Sequence, residues 1–344
     1  MIPDAIRTVS SGNGLSRAEA DAAMEEILCG RSSDDEIEAL LRALLAKGET
    51  VEELVGFATA MRRHAAPVFR EPRNAAAGPP LLDTCGTGGD GCNTFNISTC
   101  AAFVAAGAGA RVAKHGNRSI SSRCGSADVL EALAIRMDVP LERMGEAVER
   151  IGIGFFYAPA AHSAMRHAMP ARRRIQERTA FNLLGPLTNP AGAAVQVAGV
   201  FSAHGAEMVA QAMAQFGTKR AFVVHGADGL DEITLSGETR VAEVRDGGVR
   251  TYVVTPEDFG VRRASLEAIA GGDGAANAAL ILRILKGERG APHDIVVINA
   301  AAALVAVGIA HDFREGAGRA AEAIESGAAR RKLDELVAFC ARPA

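Results

Sequence analysis

Tryptophan is absent from this chain of 344 residues, tyrosine occurs twice, and aromatic residues together make up 4%. Alanine is abundant instead, which favours helix and the close packing of small side chains. Paired cysteine spacing is missing as well. Cys29, Cys85, Cys92, Cys100, Cys124 and Cys340 never fall as CxxC, so free thiols in a reducing cytoplasm are expected rather than a disulfide framework. The opening MIPDAIRTVSSGNG carries acid and glycine where a secretory signal needs an apolar centre. No apolar run is long enough to cross a bilayer, NAAAALVAVGIA being too short. An excess of positive charge is also lacking: the formal net charge is -4, which gives no overall attraction to nucleic acid or to anionic membranes. What remains, 48% hydrophobic and 23% charged, is the balance of an ordinary globular protein with room for two folding units.

The first seventy residues read as helix throughout. Ser16 with Glu19, Ser33 with Glu36, and Thr50 with Glu53 form three successive capping boxes. Ala20, Ala23, Met24, Ile27 and Leu28 then repeat at helical spacing, as do Ile37, Leu40, Leu41, Leu44 and Leu45 before Gly48. Such faces must pack on one another, on a second domain or on a partner chain. APVFREPRNAAAGPP (66–80) reads as a connector and hinge, giving a helical unit over 1–70 and a second unit over 71–344. In the second unit short apolar runs (LLDTC, ARVAKH, GFFYA, VQVAGVF, RAFVVHG) alternate with helical stretches near 98–109, 126–137, 140–151 and 203–216. That alternation predicts an α/β fold with a mostly parallel central sheet. RVAEVRDGGVRTYVV predicts an antiparallel hairpin about Asp246-Gly247-Gly248, and residues 274–341 return to helix.

Three loops carry chemistry. LLDTCGTGGDGCNTFNIST (81–99) runs from a strand through four glycines, Gly86, Gly88, Gly89 and Gly91, to a helix opening at Asn96-Ile97-Ser98-Thr99. Glycines let backbone amides converge on an anion, and the helix start adds free donors and the positive end of its dipole. This is neither the GxxxxGK[ST] triphosphate loop nor the GxGxxG dinucleotide loop. A tight turn that binds nothing would explain the glycines alone, and small buried thiols would explain Cys85 and Cys92 better than zinc. VAKHGNRSISSRCGSADVLEAL (112–133) repeats the strand–loop–helix pattern around Lys114, one of only five lysines, and reads as an anion site beside the first loop. HGADGLDEIT (225–234) places Asp231 and Glu232 side by side after a strand; either a solvated turn or, next to a pyrophosphate, a pair of Mg²⁺ ligands fits them.

In this order, with RTAFNLLGPLTNPAG and GERGAPHDIVVINAAAAL, the segments resemble the anthranilate phosphoribosyltransferase family over nearly the whole chain. FNLLGPLTNPAG and KHGNRS are its most specific motifs here. The resemblance implies a small helical domain, joined by a segment near 160–185, a larger α/β domain of the nucleoside phosphorylase and phosphoribosyltransferase kind, and an active site at the hinge between them. It implies a homodimer whose partner occupies the N-terminal apolar faces; the charge balance and the lack of a long apolar run give no expectation of a nucleic-acid or membrane partner. The implied reaction joins anthranilate to phosphoribosyl pyrophosphate, with Mg²⁺, in tryptophan biosynthesis. Carried over by motif, Gly86, Thr87, Gly88, Gly89 and Asp90 would line the ribose and pyrophosphate, and Asn96, Ser98, Thr99, Lys114 and Asn117 would hold phosphates. Ser98, Asp231 and Glu232 would be metal ligands. Arg172 would meet the anthranilate carboxylate, and His115, Asn117, Pro159, His162 and Met165 would line the acceptor's channel. Ala161 and Ser163 beside His162, and RRRIQERT, depart from the family's commoner HHP and RxLGxRT.

The arylamine acceptor is neutral with a free lone pair at pH 7, so orientation and domain closure are expected in place of a catalytic acid–base dyad. Two other readings share the fold. A pyrimidine nucleoside phosphorylase is disfavoured by the intact GPLTNP and Asp231-Glu232 pair. A non-catalytic nucleic-acid-binding relative would have eroded motifs and a basic surface, and this chain has neither.

Overall fold

The structure is a computed structural model and describes residues 1–69, 78–119 and 123–342. The centre of the 66–80 connector and residues 120–122 of the second loop therefore lie outside the described residues.

Four helices open the chain: α1 (Ile2–Ser10), α2 (Arg17–Leu28), α3 (Asp34–Lys47) and α4 (Val51–Arg63). All three capping boxes form. The Ser16 hydroxyl accepts from the Glu19 amide at 3.3 Å, while the Glu19 carboxylate accepts from the Ser16 amide at 2.9 Å; Ser33/Glu36 and Thr50/Glu53 repeat the exchange. Each such cap is worth about 1 kcal/mol to its helix. Helices α2 and α4 touch backbone to backbone at Gly56, where a Cβ would lie 2.5 Å from the Arg17 carbonyl oxygen.

The α2 and α3 faces marked by their periodicity are buried, apart from a half-buried Leu45. They are covered from within the chain, which corrects the expectation that a partner occupies them. Ala168, Ala171, Ile175, Phe181 and Leu184 join the same apolar cluster, together with Val209 and Met213. These residues come from the 160–185 segment and from a helix of the second unit, so their packing fills the α2 and α3 faces from within the chain.

The second unit runs β1 (Leu81–Gly86), α5 (Ile97–Gly107), β2 (Arg111–Gly116), α6 (Ser126–Ala132), α7 (Leu141–Ile151) and β3 (Ile153–Tyr157). It continues through α8 (Ala158–Ala161), α9 (Met169–Arg174), α10 (Ala180–Leu184), β4 (Val195–Gly199), α11 (Ala203–Gln215) and β5 (Arg220–Gly226). The hairpin β6 (Thr239–Arg245) and β7 (Gly248–Val254) and helices α12 (Gly274–Ile284), α13 (Ala291–Ala306), α14 (Phe313–Glu325) and α15 (Ala328–Ala341) complete it. The strands form one sheet in the order β3-β2-β1-β4-β5-β6-β7, parallel from β3 to β5 and antiparallel beyond. A small helical unit with a larger α/β unit is the predicted fold class, and the chain adopts it. Asp246 and Gly247, at φ of 52° and 77°, make the two-residue hairpin turn, so Gly248 already belongs to β7. Alanine-rich α5 and α13 pack against each other behind the sheet, where Ala300 to Ala303 allow close approach.

Candidate functional site

After β1 the chain crosses to β2 on one side, whereas β4 leads to β5 on the other. A sheet of this topology opens a crevice outside the carboxyl ends of the two strands at which its direction reverses. Gly86 and Gly199 end those strands in register. A Cβ on Gly199 would lie 1.4 Å from the Asp231 carbonyl oxygen, and one on Gly86 would lie 2.7 Å from Asp231 Oδ2. The loop after β5 therefore folds straight over the ends of β1 and β4, and only glycine permits that approach.

The glycine loop is fastened to its neighbours by its own backbone. The Thr87 amide donates to the Gly199 carbonyl at 2.9 Å, and the Thr87 hydroxyl accepts from the Phe201 amide at 3.2 Å. Gly88, Gly89 and Gly91 take φ of 65°, 75° and 80°, a region that disfavours side chains. The Gly88 amide donates to Asp231 Oδ2 at 2.8 Å, and the Asp231 amide meets Asp90 Oδ2 at 3.4 Å. Arg178 donates to the Gly89 carbonyl and lies over the Phe201 ring, 4.5 Å from its centroid.

Asn96 precedes α5 without capping it; its side chain donates to the Cys124 carbonyl at 3.2 Å and accepts from Asn277 at 3.0 Å. The Ser98 amide donates to Glu232 Oε1 at 3.0 Å, which sets a carboxylate on the helix N-terminus. Thr99 is buried, and its hydroxyl has no hydrogen-bond partner among the described residues. Lys114, buried at the end of β2, donates to the Thr84 carbonyl and reaches the Ser98 hydroxyl at 3.4 Å. Burial holds its pKa below the ordinary value, against the pull of Asp83, Glu232 and Asp231.

Burial and the neighbouring Asp90 and Glu232 raise the Asp231 carboxyl well above its usual range. Burial pushes Glu232 up to about 7, opposed by Lys114 and the Ser98 hydrogen bonds. Crowded oxygens of this kind, beside the Ser98 hydroxyl, form a hard donor set suited to a divalent cation such as Mg²⁺.

On the other side of Lys114, the His115 and His162 rings meet edge to face with centroids 5.3 Å apart. Burial and His162 push His115 down to about 3. His162 Nε2 lies 2.9 Å from the Thr188 carbonyl oxygen. Arg172 sits over the Phe181 ring, 4.9 Å from its centroid, and makes no ion pair among the described residues; burial lowers its pKa. Met165 is half-buried against the helical cluster. Pro159 stands apart from these four. It lines an open cleft of about 690 Å³ with Arg118, Arg136 and Tyr157. Asn117 is exposed, with its side-chain oxygen accepting from the Arg118 amide at 2.7 Å, and the Arg118 guanidinium turns away to Asp128 and Glu131.

Cys85 is buried in β1, and burial pushes the Cys92 thiol up to about 12. Neither has a cluster of metal-ligating groups around it among the described residues.

Residues without a role in the sequence reading also shape this site. Asp83 accepts from the His115 amide at 3.1 Å and from Asn189 at 2.8 Å, and Asn189 donates again to the Ala113 carbonyl at 2.8 Å. The TNP turn thereby ties β1 to β2 directly beneath Lys114. An acid inside the apolar run LLDTC is the signal that could have pointed to Asp83. Gly199 and Arg178 carried no signal beyond their residue type.

Models of two glycosyltransferase families match the chain in order: the helical bundle domain over residues 3–65 and the a/b domain over residues 78–330. The anthranilate phosphoribosyltransferase of Solibacter usitatus is 54% identical over 99% of both chains, and that of Pelotomaculum thermopropionicum is 53% identical over 98% of this chain and 96% of its own. Among solved structures, the Thermus thermophilus anthranilate phosphoribosyltransferase superposes with a TM-score of 0.91 at 45% identity, covering 98% of this chain and all of that one. The Saccharomyces cerevisiae enzyme in complex with PRPP and Mg gives 0.89 at 28% identity, over 98% of this chain and 97% of that one. With both units matched in sequence order and relatives more than half identical along almost its whole length, the chain belongs to the anthranilate phosphoribosyltransferase family.

Proposed function

We propose that the crevice at the carboxyl ends of β1 and β4 binds phosphoribosyl pyrophosphate and that the enzyme transfers its phosphoribosyl group to the amine of anthranilate, releasing pyrophosphate, in tryptophan biosynthesis. The observation that carries this reading is the Asp231–Glu232 loop, held against the Gly88 and Ser98 amides at 2.8 and 3.0 Å. It joins a hard oxygen set to a glycine loop and a helix N-terminus, the three elements that a magnesium pyrophosphate needs.

In this reading Gly86, Thr87, Gly88, Gly89 and Asp90 enclose the ribose and pyrophosphate. Asn96, Ser98, Thr99, Lys114 and Asn117 serve the phosphates. Ser98, Asp231 and Glu232 hold Mg²⁺, which when bound offsets the negative charge gathering on the departing pyrophosphate. Lys114 adds a buried positive charge on the same side. Arg172, a buried cation over Phe181 with no carboxylate paired to it among the described residues, meets the anthranilate carboxylate. His115, Asn117, Pro159, His162 and Met165 line the acceptor's path.

As the amine nitrogen bonds to the ribose C1, the bond from C1 to the pyrophosphate oxygen breaks and the nitrogen sheds a proton. His115, pushed down to about 3, is neutral and a weak base at pH 7, which favours an orienting role over that of a general base. The substrates match the ligands named for yeast relatives, one in complex with PRPP and Mg and another with 4-fluoroanthranilate. No helix among the described residues is long and apolar enough to cross a membrane, and the same reading places the enzyme in the cytoplasm. Two copies pair through the outer surfaces of the N-terminal helices, since the inner faces are filled.

Pyrophosphate release tests the reading: it requires phosphoribosyl pyrophosphate and anthranilate together. Phosphate-dependent cleavage of a pyrimidine nucleoside in its place overturns it.

A further inference from the structure

Helices α2 and α4 end side by side, and each ends on a metal-ligating residue. Cys29 caps α2 and His64 caps α4. Glu25 lies one helical turn before Cys29, on the same face. Its Oε1 receives both neighbours: the Cys29 thiol donates to it at 3.3 Å, and His64 Nε2 lies 3.0 Å away. The three ligand atoms all lie within 4.8 Å of one another.

We propose that Glu25, Cys29 and His64 form a second metal site, distinct from the magnesium site and selective for a borderline-soft divalent cation such as Zn²⁺. Zinc bonds of about 2.0–2.2 Å to nitrogen and oxygen and about 2.3 Å to sulfur imply tetrahedral edges of about 3.3–3.7 Å. Two edges of the triad are already close to that, and the third, from Cys29 to His64, is within 4.8 Å. Arg63 donates to Glu25 Oε2 at 2.8 Å and to Asp21 at 2.8 Å. It fixes the carboxylate from behind and leaves Oε1 facing Cys29 and His64, as an outer hydrogen bond does for a metal-bound carboxylate. The metal takes the place of the thiol proton, which is released to solvent. Cys29 is exposed, so the fourth position is open to water. A thiolate and an imidazole favour zinc over magnesium, which stays with the oxygen ligands of the crevice.

The site's position gives it a consequence. His64 stands two residues before Ala66, whose amide donates to the Ala161 carbonyl at 2.9 Å, where the chain leaves the helical unit against α8. A bound metal would pin the ends of α2 and α4 together at that exit.

The test uses full-length protein and Co²⁺ as the probe. One equivalent of Co²⁺ produces a thiolate-to-cobalt charge-transfer band that Zn²⁺ removes by displacement. Cys29→Ser abolishes the band, and His64→Ala weakens Co²⁺ binding at least about tenfold. Zinc raises the Tm of the wild type and leaves that of Cys29→Ser unchanged. Cys29→Ser keeps wild-type Mg²⁺-dependent turnover, which shows that it folds. Absence of the band in the wild type, or its persistence in Cys29→Ser, overturns the proposal.

Discussion

Asp231 is the residue on which the crevice closes: its backbone oxygen lies over Gly199, its Oδ2 accepts from Gly88, and Asp90 and Glu232 crowd its charge. Asparagine in its place keeps the shape and removes a carboxylate oxygen from the metal's donor set. Asp231→Asn is expected to lower turnover about 10²-fold, the scale of losing one preorganised electrostatic group, and to raise the Mg²⁺ concentration for half-maximal rate. Steady-state rates across a Mg²⁺ titration measure both, and an unchanged curve would defeat the metal assignment. His115 makes a prediction of the opposite kind, about stability. Its pKa falls from 6.5 to about 3 on folding through burial beside His162, with Lys114 adding to the shift. Between those values the unfolded chain binds the proton and the folded one does not. Stability is therefore full above pH 6.5 and drains as pH falls toward 3, by up to about 1.4 kcal/mol per unit. Denaturant unfolding from pH 7 to 4 should show a shallower loss in His115→Asn; equal slopes would contradict this burial account. At this scale the sequence was legible where a chemically loaded residue interrupts an apolar run, as at Lys114 and Asp231-Glu232. Asn189 and Arg178 act through partners 106 and 89 positions away, a closeness that local pattern does not encode.

Local rules governed the helices, and that is why they could be read. A capping box depends on residues three apart, and Ser16/Glu19, Ser33/Glu36 and Thr50/Glu53 all form. The β6–β7 pairing follows from a two-residue turn in the same way. Contacts between elements were hidden, because a glycine needed for close approach resembles any other glycine. Gly199 is the clearest case. A methyl group there meets backbone, which cannot rotate aside, so Gly199→Ala should destabilise the protein by about 3 kcal/mol and abolish turnover. Gly86→Ala meets the Asp231 side chain, which can move, and should cost turnover more than stability. Thermal unfolding beside activity separates the two; equal Tm values for Gly199→Ala and wild type would show that the loop has room to shift.

Across the whole molecule, the segment from α8 to α10 connects the helical unit with the crevice. Ala168, Ala171 and Ile175 belong to the helical cluster, while on the same stretch Arg172 lies over Phe181 and Arg178 reaches the glycine loop. That arrangement explains how an acceptor held by one unit could be presented to a donor held by the other, with domain closure supplying orientation where no acid–base dyad is required. The α2 and α3 faces show the limit of periodicity, which identifies a face to be buried and is silent about what buries it. The most direct measurement is anthranilate fluorescence followed in time with the purified, folded protein. The account predicts a decay that needs both phosphoribosyl pyrophosphate and Mg²⁺ and stops when either is withheld. Constant fluorescence with both present would contradict it.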